Sequence, residues 1–224
     1  MAFDGFMLAG FVAAPRWLPP DEPWTTHLPP SAVTVSDCLT DFVPADDEPL
    51  TAPWHVDLAT ALAASRATGT HALSMNLAAP ESRTLLTTFG GWGDADFHPL
   101  WRHLSHPVAA PTGVALGFEV VGFGAGRLHS WLCNSLQRDA HDNLGITVNQ
   151  LGLLDTLDQA RAVATMANHD PGTEPVDWIA ARIIEHYDGT VGLNGPVSWP
   201  PVHDSADDAI RKPRDAGTED PPPK

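Results

Sequence analysis

The chain has 224 residues, 43% of them hydrophobic and only 18% charged, with 22 prolines and a formal net charge of −16. That length and apolar fraction give one core of ordinary size with long irregular connections, and the 28 acidic residues against 12 basic ones would repel a phosphate backbone, which excludes nucleic acid as a partner. No run reaches the ~18 apolar residues of a membrane span, so no membrane association is expected.

Residues 6–13 are continuously apolar, the pattern of a strand buried on both faces, and Pro15 ends it. Asp4 stands where a signal peptide would carry basic residues, and Pro-rich sequence follows, so the segment is not read as a leader. Residues 16–30 hold Pro19, Pro20, Pro23, Pro29 and Pro30, which rule out both helix and sheet interior. They form an extended arm that Trp17, Leu18, Trp24 and Leu28 pin to the domain. Residues 32–35 are β-type, and Ser36 or Asp37 then caps a turn or a loop carrying Cys38. Two cysteines, Cys38 and Cys133, cannot make a disulfide framework, which fits a reducing cytoplasm.

Residues 44–53 read as a solvated loop. The spacing of Val56, Leu58 and Leu62 predicts a helix over 57–67 with Gly69 as its stop. Alternation predicts a half-buried strand over 71–77, with Leu73, Met75 and Leu77 on one side. A helix opens at Pro80 and ends near Phe89, and a two-turn helix starts at Pro99 and stops before Pro107.

Residues 113–136 hold the strongest apolar run, read as the central strand, then Gly122, Gly124 and Gly126, then a helix capped by Ser130 and reaching about Asn143. Thr156 and Gln159 make a capping box before Leu157, Ala160, Val163, Ala164 and Ala167. Pro175 opens a last helix in which Val176, Ile179 and Ile183 share a face. The fold class expected is therefore α+β, an antiparallel or mixed sheet from the N-terminal half packed by C-terminal helices, with Pro-rich connections. Residues 1–200 form a single domain, and 201–224 a disordered, charged, Pro-rich tail.

Reactive residue types gather where the central strand ends. Cys133 or Ser130 could serve as a nucleophile with His129 as base, since a nucleophile needs a base within hydrogen-bond reach and a first-turn thiol has a lowered pKa. Glu119, the single charge inside the β run, could assist as a pocket carboxylate, although a solvent-facing position on the open side of the sheet is the stronger expectation. Arg127, Trp131 and Asn134 are the groups that would bind a substrate. The competing reading makes Ser130 a helix cap and Cys133 a core residue, and it carries more weight. Gly122, Gly124 and Gly126 lack both the dinucleotide and the Walker spacing and read as a tight turn. Asp94, Asp96, His98, His103 and His106 match no known metal pattern, nor do His129, Cys133, His141 and Cys38. No metal and no cofactor are expected.

Two functions follow. The first is an acidic cytoplasmic binding module that docks a cationic protein, in the manner of an immunity or regulatory protein, resting on the net charge and on the acidic, Trp-containing first fifty residues. The second is a small hydrolase or transferase of a bacterial tailoring pathway built on Cys133 or Ser130. Oligomeric state has no sequence signature here.

Overall fold

The structure is a computed structural model that describes residues 5–39, 42–44, 54–90 and 98–187, with the side chain of Asn134 excepted. Of the loop expected over 44–53, Pro44 is a strand residue and the rest lies outside the described residues, as do Asp94, Asp96 and the tail over 201–224. In chain order the elements are β1 (Phe6–Ala14), β2 (Trp17–Leu18), β3 (Val43–Pro44), β4 (Trp54–His55), α1 (Leu58–Thr68), β5 (His71–Ala78), α2 (Ala79–Gly90) and α3 (Pro99–Ser105). Then come β6 (Val114–Gly124), β7 (Arg127–Ser130), α4 (Leu136–Leu144), α5 (Leu157–His169) and β8 (Ile179–His186), with 3-10 turns at Pro23–Thr25 and Trp131–Asn134.

Local signals place the helix ends. Asp57 accepts the Thr60 N–H at 2.7 Å and Gly69 takes the left-handed C-cap at φ 77°, so α1 has both termini satisfied. The Thr156–Gln159 capping box forms reciprocally, at 3.2 and 3.1 Å, and starts α5.

Six strands make one antiparallel sheet in the order β4-β1-β5-β8-β6-β7. The sheet curls, so that the rings of Phe6 and Phe118, from strands three places apart, have centroids 6.1 Å apart, and the Arg182 guanidinium lies 4.0 Å over Phe6. On one face Leu73, Met75 and Leu77 of β5 and Ile179, Ala181 and Ile183 of β8 pack against Leu85 and Phe89 of α2 and Leu100 and Leu104 of α3. Phe89 is fully buried and stacks on Phe123 of β6 at 4.1 Å. On the other face Val120 and Ala180 meet Ala160, Val163 and Ala167 of α5, Leu136 and Ala140 of α4, and Trp17 of the arm. Ala61 of α1 closes over Leu8, Phe11 and Ala72 nearby. Among the described residues no helix is long and apolar enough to cross a membrane.

The α+β class holds, but the expected division of the chain does not. Residues 179–186 are a strand, not a helix, and β8 is inserted between β5 and β6. Helices also pack from the N-terminal half, where α2 and α3 cover one face of the sheet. The apolar residues of β8 are buried on both faces, so the continuous run carries no alternation to distinguish it from a helix. The helix expected from Ser130 is likewise interrupted. Ser130 ends β7 and caps a 3-10 turn, Ser135 takes φ 58°, and α4 begins only after it.

Candidate functional site

Glu119 lies mid-strand in β6, between Phe118 and Val120, and is fully buried. The expected solvent-facing position is therefore wrong, because the face it occupies is covered by the 33–35 segment of the chain. Three donors converge on its carboxylate. Ser130 Oγ reaches Oε1 at 2.6 Å, the Val35 N–H reaches Oε2 at 3.0 Å, and Thr34 Oγ1 donates to Oε1. Burial raises the carboxyl to about 7, outweighing the three hydrogen bonds that favour its charge. Thr34 is fully buried and was not singled out in the sequence. Its sole sequence signal was its position in an apolar stretch next to Val33 and Val35.

The same segment is stitched to β7 from two sides. Ser36 Oγ donates to the Leu128 carbonyl at 2.7 Å, and the Leu128 N–H donates to Asp37 at 2.7 Å. Burial raises the Asp37 carboxyl even though the Leu128 N–H and nearby Arg127 favour its charge. Thr34, Ser36 and Asp37 thus make a row of polar contacts to β6 and β7, between the core residues Ala32, Val33 and Val35.

His129, Ser130 and Cys133 are brought near one another in the chain but not into a reacting geometry. Successive residues of a strand point to opposite faces, so His129 and Ser130 diverge. His129 Nε2 donates to the Gly124 carbonyl at 3.1 Å, and its Nδ1 lies 2.5 Å from Glu174 Oε2 without hydrogen-bond alignment. Ser130 Oγ is occupied by Glu119 and by the Leu132 N–H, at 3.2 Å. The Cys133 thiol donates to the Cys38 carbonyl at 2.5 Å, and burial pushes it up to about 12. A thiol so protonated is a poor nucleophile at neutral pH. Both cysteines are free.

The substrate-binding candidates separate as well. Arg127 is exposed beside the turn, whereas Trp131 is 1% exposed within the core cluster of α4 and α5. The Asn134 side chain lies outside the described residues. The Gly-rich run is a hairpin turn with Ala125 and Gly126 at positive φ. Gly122 and Gly124 have a different cause: a Cβ on either would stand 2.4 or 2.5 Å from Val176, whose side chain crosses the strand there.

A cleft of about 250 Å³ opens between α2 and α5, lined by Glu81, Thr84, Arg161, Asn168 and Trp178 among others. Its charges neutralise each other, for Arg161 binds the buried Glu81 through two hydrogen bonds of 2.6 and 3.1 Å. Asn168 is spent on the backbone of Trp178, at 2.9 and 2.8 Å. Of the metal candidates, His103 donates to the Val56 carbonyl at 2.9 Å and His98 Nδ1 caps α3 by accepting the Leu100 N–H at 3.2 Å. Burial lowers the pKa of both imidazoles. His141 stacks on His27, while His129 and Cys133 are engaged as described above.

Glu185 and His186 are the last residues of β8, and Tyr187 follows it. Glu185 accepts from His71 at 2.6 Å and from the Tyr187 hydroxyl at 2.5 Å, and burial together with that carboxylate raises the phenol. No protein-family model, curated protein or solved structure matches this chain.

Proposed function

We propose that the protein is a cytoplasmic, non-catalytic acidic module that docks a cationic protein partner through the side built by the arm, α4 and α5. The observation that carries this reading is the charge on that side. The arm, α4 and α5 share one apolar cluster through Trp17, Trp24, Leu28, Leu136, Ala140, Leu157 and Ala160, so their outer surfaces form one layer. The arm, α4, α5 and the turn before α5 carry exposed Asp21, Glu22, Asp142, Asp155 and Asp158, while exposed Arg138 lies 3.5 Å from Asp139 and Arg161, near Asp158, is bound to Glu81. With a net charge of −16 behind it, such a surface speeds association with a basic partner and makes the rate sensitive to salt. The packing of the Trp-containing arm supports the same reading, since it holds Asp21 and Glu22 on an ordered support.

The alternative, a hydrolase or transferase built on Cys133 or Ser130, lacks a supporting observation, because each hydroxyl, thiol and imidazole it needs is engaged by the fold. The docking reading is tested by capture from a lysate of the source cell at low ionic strength. Wild type should retain a basic protein that elutes as salt is raised, and a variant carrying Asp21→Lys, Glu22→Lys, Asp155→Lys and Asp158→Lys should release it. Capture that is absent, or unchanged by both salt and charge reversal, sinks the reading.

A further inference from the structure

The seam between the arm and α4 brings together three metal-ligating groups that are far apart in the chain. Gln137 donates to the Trp24 carbonyl at 3.3 Å, and Trp24 and Leu28 pack on the cluster that contains Leu136 and Ala140. Those contacts carry His27, just beyond the 3-10 turn Pro23–Thr25, onto the last turn of α4. There its ring stacks on His141, with centroids 3.8 Å apart and planes 21° from parallel. One ligand atom each from His27, His141 and Asp142 lies within 4.8 Å of the other two. Nδ1 of His141 is shielded from solvent and has no hydrogen-bond partner among the described residues, which leaves a buried polar atom unserved by the fold.

We infer that His27, His141 and Asp142 form a three-ligand site for a divalent transition-metal ion of the zinc, nickel or copper class. Two imidazole nitrogens and one carboxylate suit these ions, whereas calcium and magnesium take oxygen donors. Ligand atoms at ~2.0–2.1 Å from a common tetrahedral ion stand about 3.3 Å apart, so the three groups close by on the order of 1 Å and the stacked rings tilt to aim at the ion. His27 is exposed on a loop and can make that movement. The site adjoins the C-terminal turn of α4, where the helix dipole and the Asp142 carboxylate both favour a cation. Three protein ligands leave a coordination position for water. A bound ion would also fasten the arm to α4, tying two distant stretches of the chain. This inference is independent of any docked partner, since it concerns the isolated protein.

The test is calorimetric titration of the chelator-stripped full chain with Zn²⁺, alongside thermal melting with Zn²⁺, Ni²⁺, Ca²⁺ and Mg²⁺. One Zn²⁺ should bind per chain, and Zn²⁺ at about a hundredfold above Kd should raise Tm by roughly 5–10 °C. Ca²⁺ and Mg²⁺ should leave Tm unchanged. His27→Ala and His141→Ala should each weaken binding by about tenfold or more, Asp142→Asn by less, and His106→Ala and His169→Ala, at other exposed histidines, should have no effect. Because His27 is exposed on a loop, its variant keeps the circular dichroism and Tm of metal-free wild type, which separates lost binding from lost folding. Zn²⁺ affinity that is equal in wild type and His27→Ala, or that follows His106 or His169 instead, overturns the assignment.

Discussion

Ser130 donates its hydroxyl proton to Glu119 at 2.6 Å while the same oxygen accepts the Leu132 N–H at 3.2 Å. One side chain therefore joins a buried carboxylate on β6 to the turn that leads into α4. By sequence Ser130 is a candidate nucleophile and Glu119 a carboxylate that could assist it; in the fold the two form a junction.

Stability should depend on pH through Glu119. Its carboxyl is raised from 4.5 to about 7, so the folded chain holds that proton more tightly than the unfolded chain does. The contribution is whole below pH 4.5, falls as pH rises to about 7, and is flat beyond. The loss amounts to about 3 kcal/mol across the window. Glu119→Gln removes the titration, and the two hydroxyls can rotate to serve the amide. Urea denaturation at pH 5 and pH 8 should show wild type losing about 2.5 kcal/mol more than the variant between these pH values. Parallel pH profiles would refute this account of the site.

Removing a donor should matter more when the carboxylate is charged. Ser130→Ala or Thr34→Val is expected to cost about 1–3 kcal/mol at pH 8 and less at pH 5, because hydrogen bonds to charged groups are the stronger ones. Ser130 favours the charged form, so its loss should also move the stability midpoint to higher pH. Equal losses at the two pH values would show that the hydroxyls act only through packing.

Cys133 should resist alkylation in the folded protein. With its thiol pushed up to about 12 and donated to the Cys38 carbonyl, almost no thiolate exists at pH 7.5. Mass spectrometry after iodoacetamide treatment should find Cys133 unmodified until denaturant is added. Rapid labelling under native conditions would restore the nucleophile reading.

The glycines at 122 and 124 should prove to be packing residues. Gly122→Ala places a methyl group 2.4 Å from Val176 and is expected to cost about 1–3 kcal/mol. The same substitution in a Val176→Ala background should cost much less, since the obstructing methyl groups are gone. A double-mutant cycle with no coupling between the two positions would argue against this.

How far the sequence could be read depended on whether a residue's role was local. The α5 capping box and the Asp57 and Gly69 ends of α1 involve neighbours in the chain, and they were legible. Strand β8 was not, because Ile179 and Ile183 have helical spacing and only pairing with β5 and β6 decides their conformation. Glu119 shows the same limit at the candidate site. Its identity as the one charge in a β run was visible, but its burial depends on Thr34 and Val35, more than 80 positions away. His27 gave no signal, and His141 stood out only beside His129, Cys133 and Cys38, since its meeting with His27 depends on how the arm folds back over α4.

The central place of β8 has a consequence for synthesis. Hairpins such as β6 with β7 can form as they leave the ribosome, but β5 and β6 have no common neighbour until residues 179–186 emerge. Up to that moment two strands present unpaired edges, the condition that favours association between chains. A nascent chain halted before Ile179 would be short by one strand yet would lack the whole middle of its sheet.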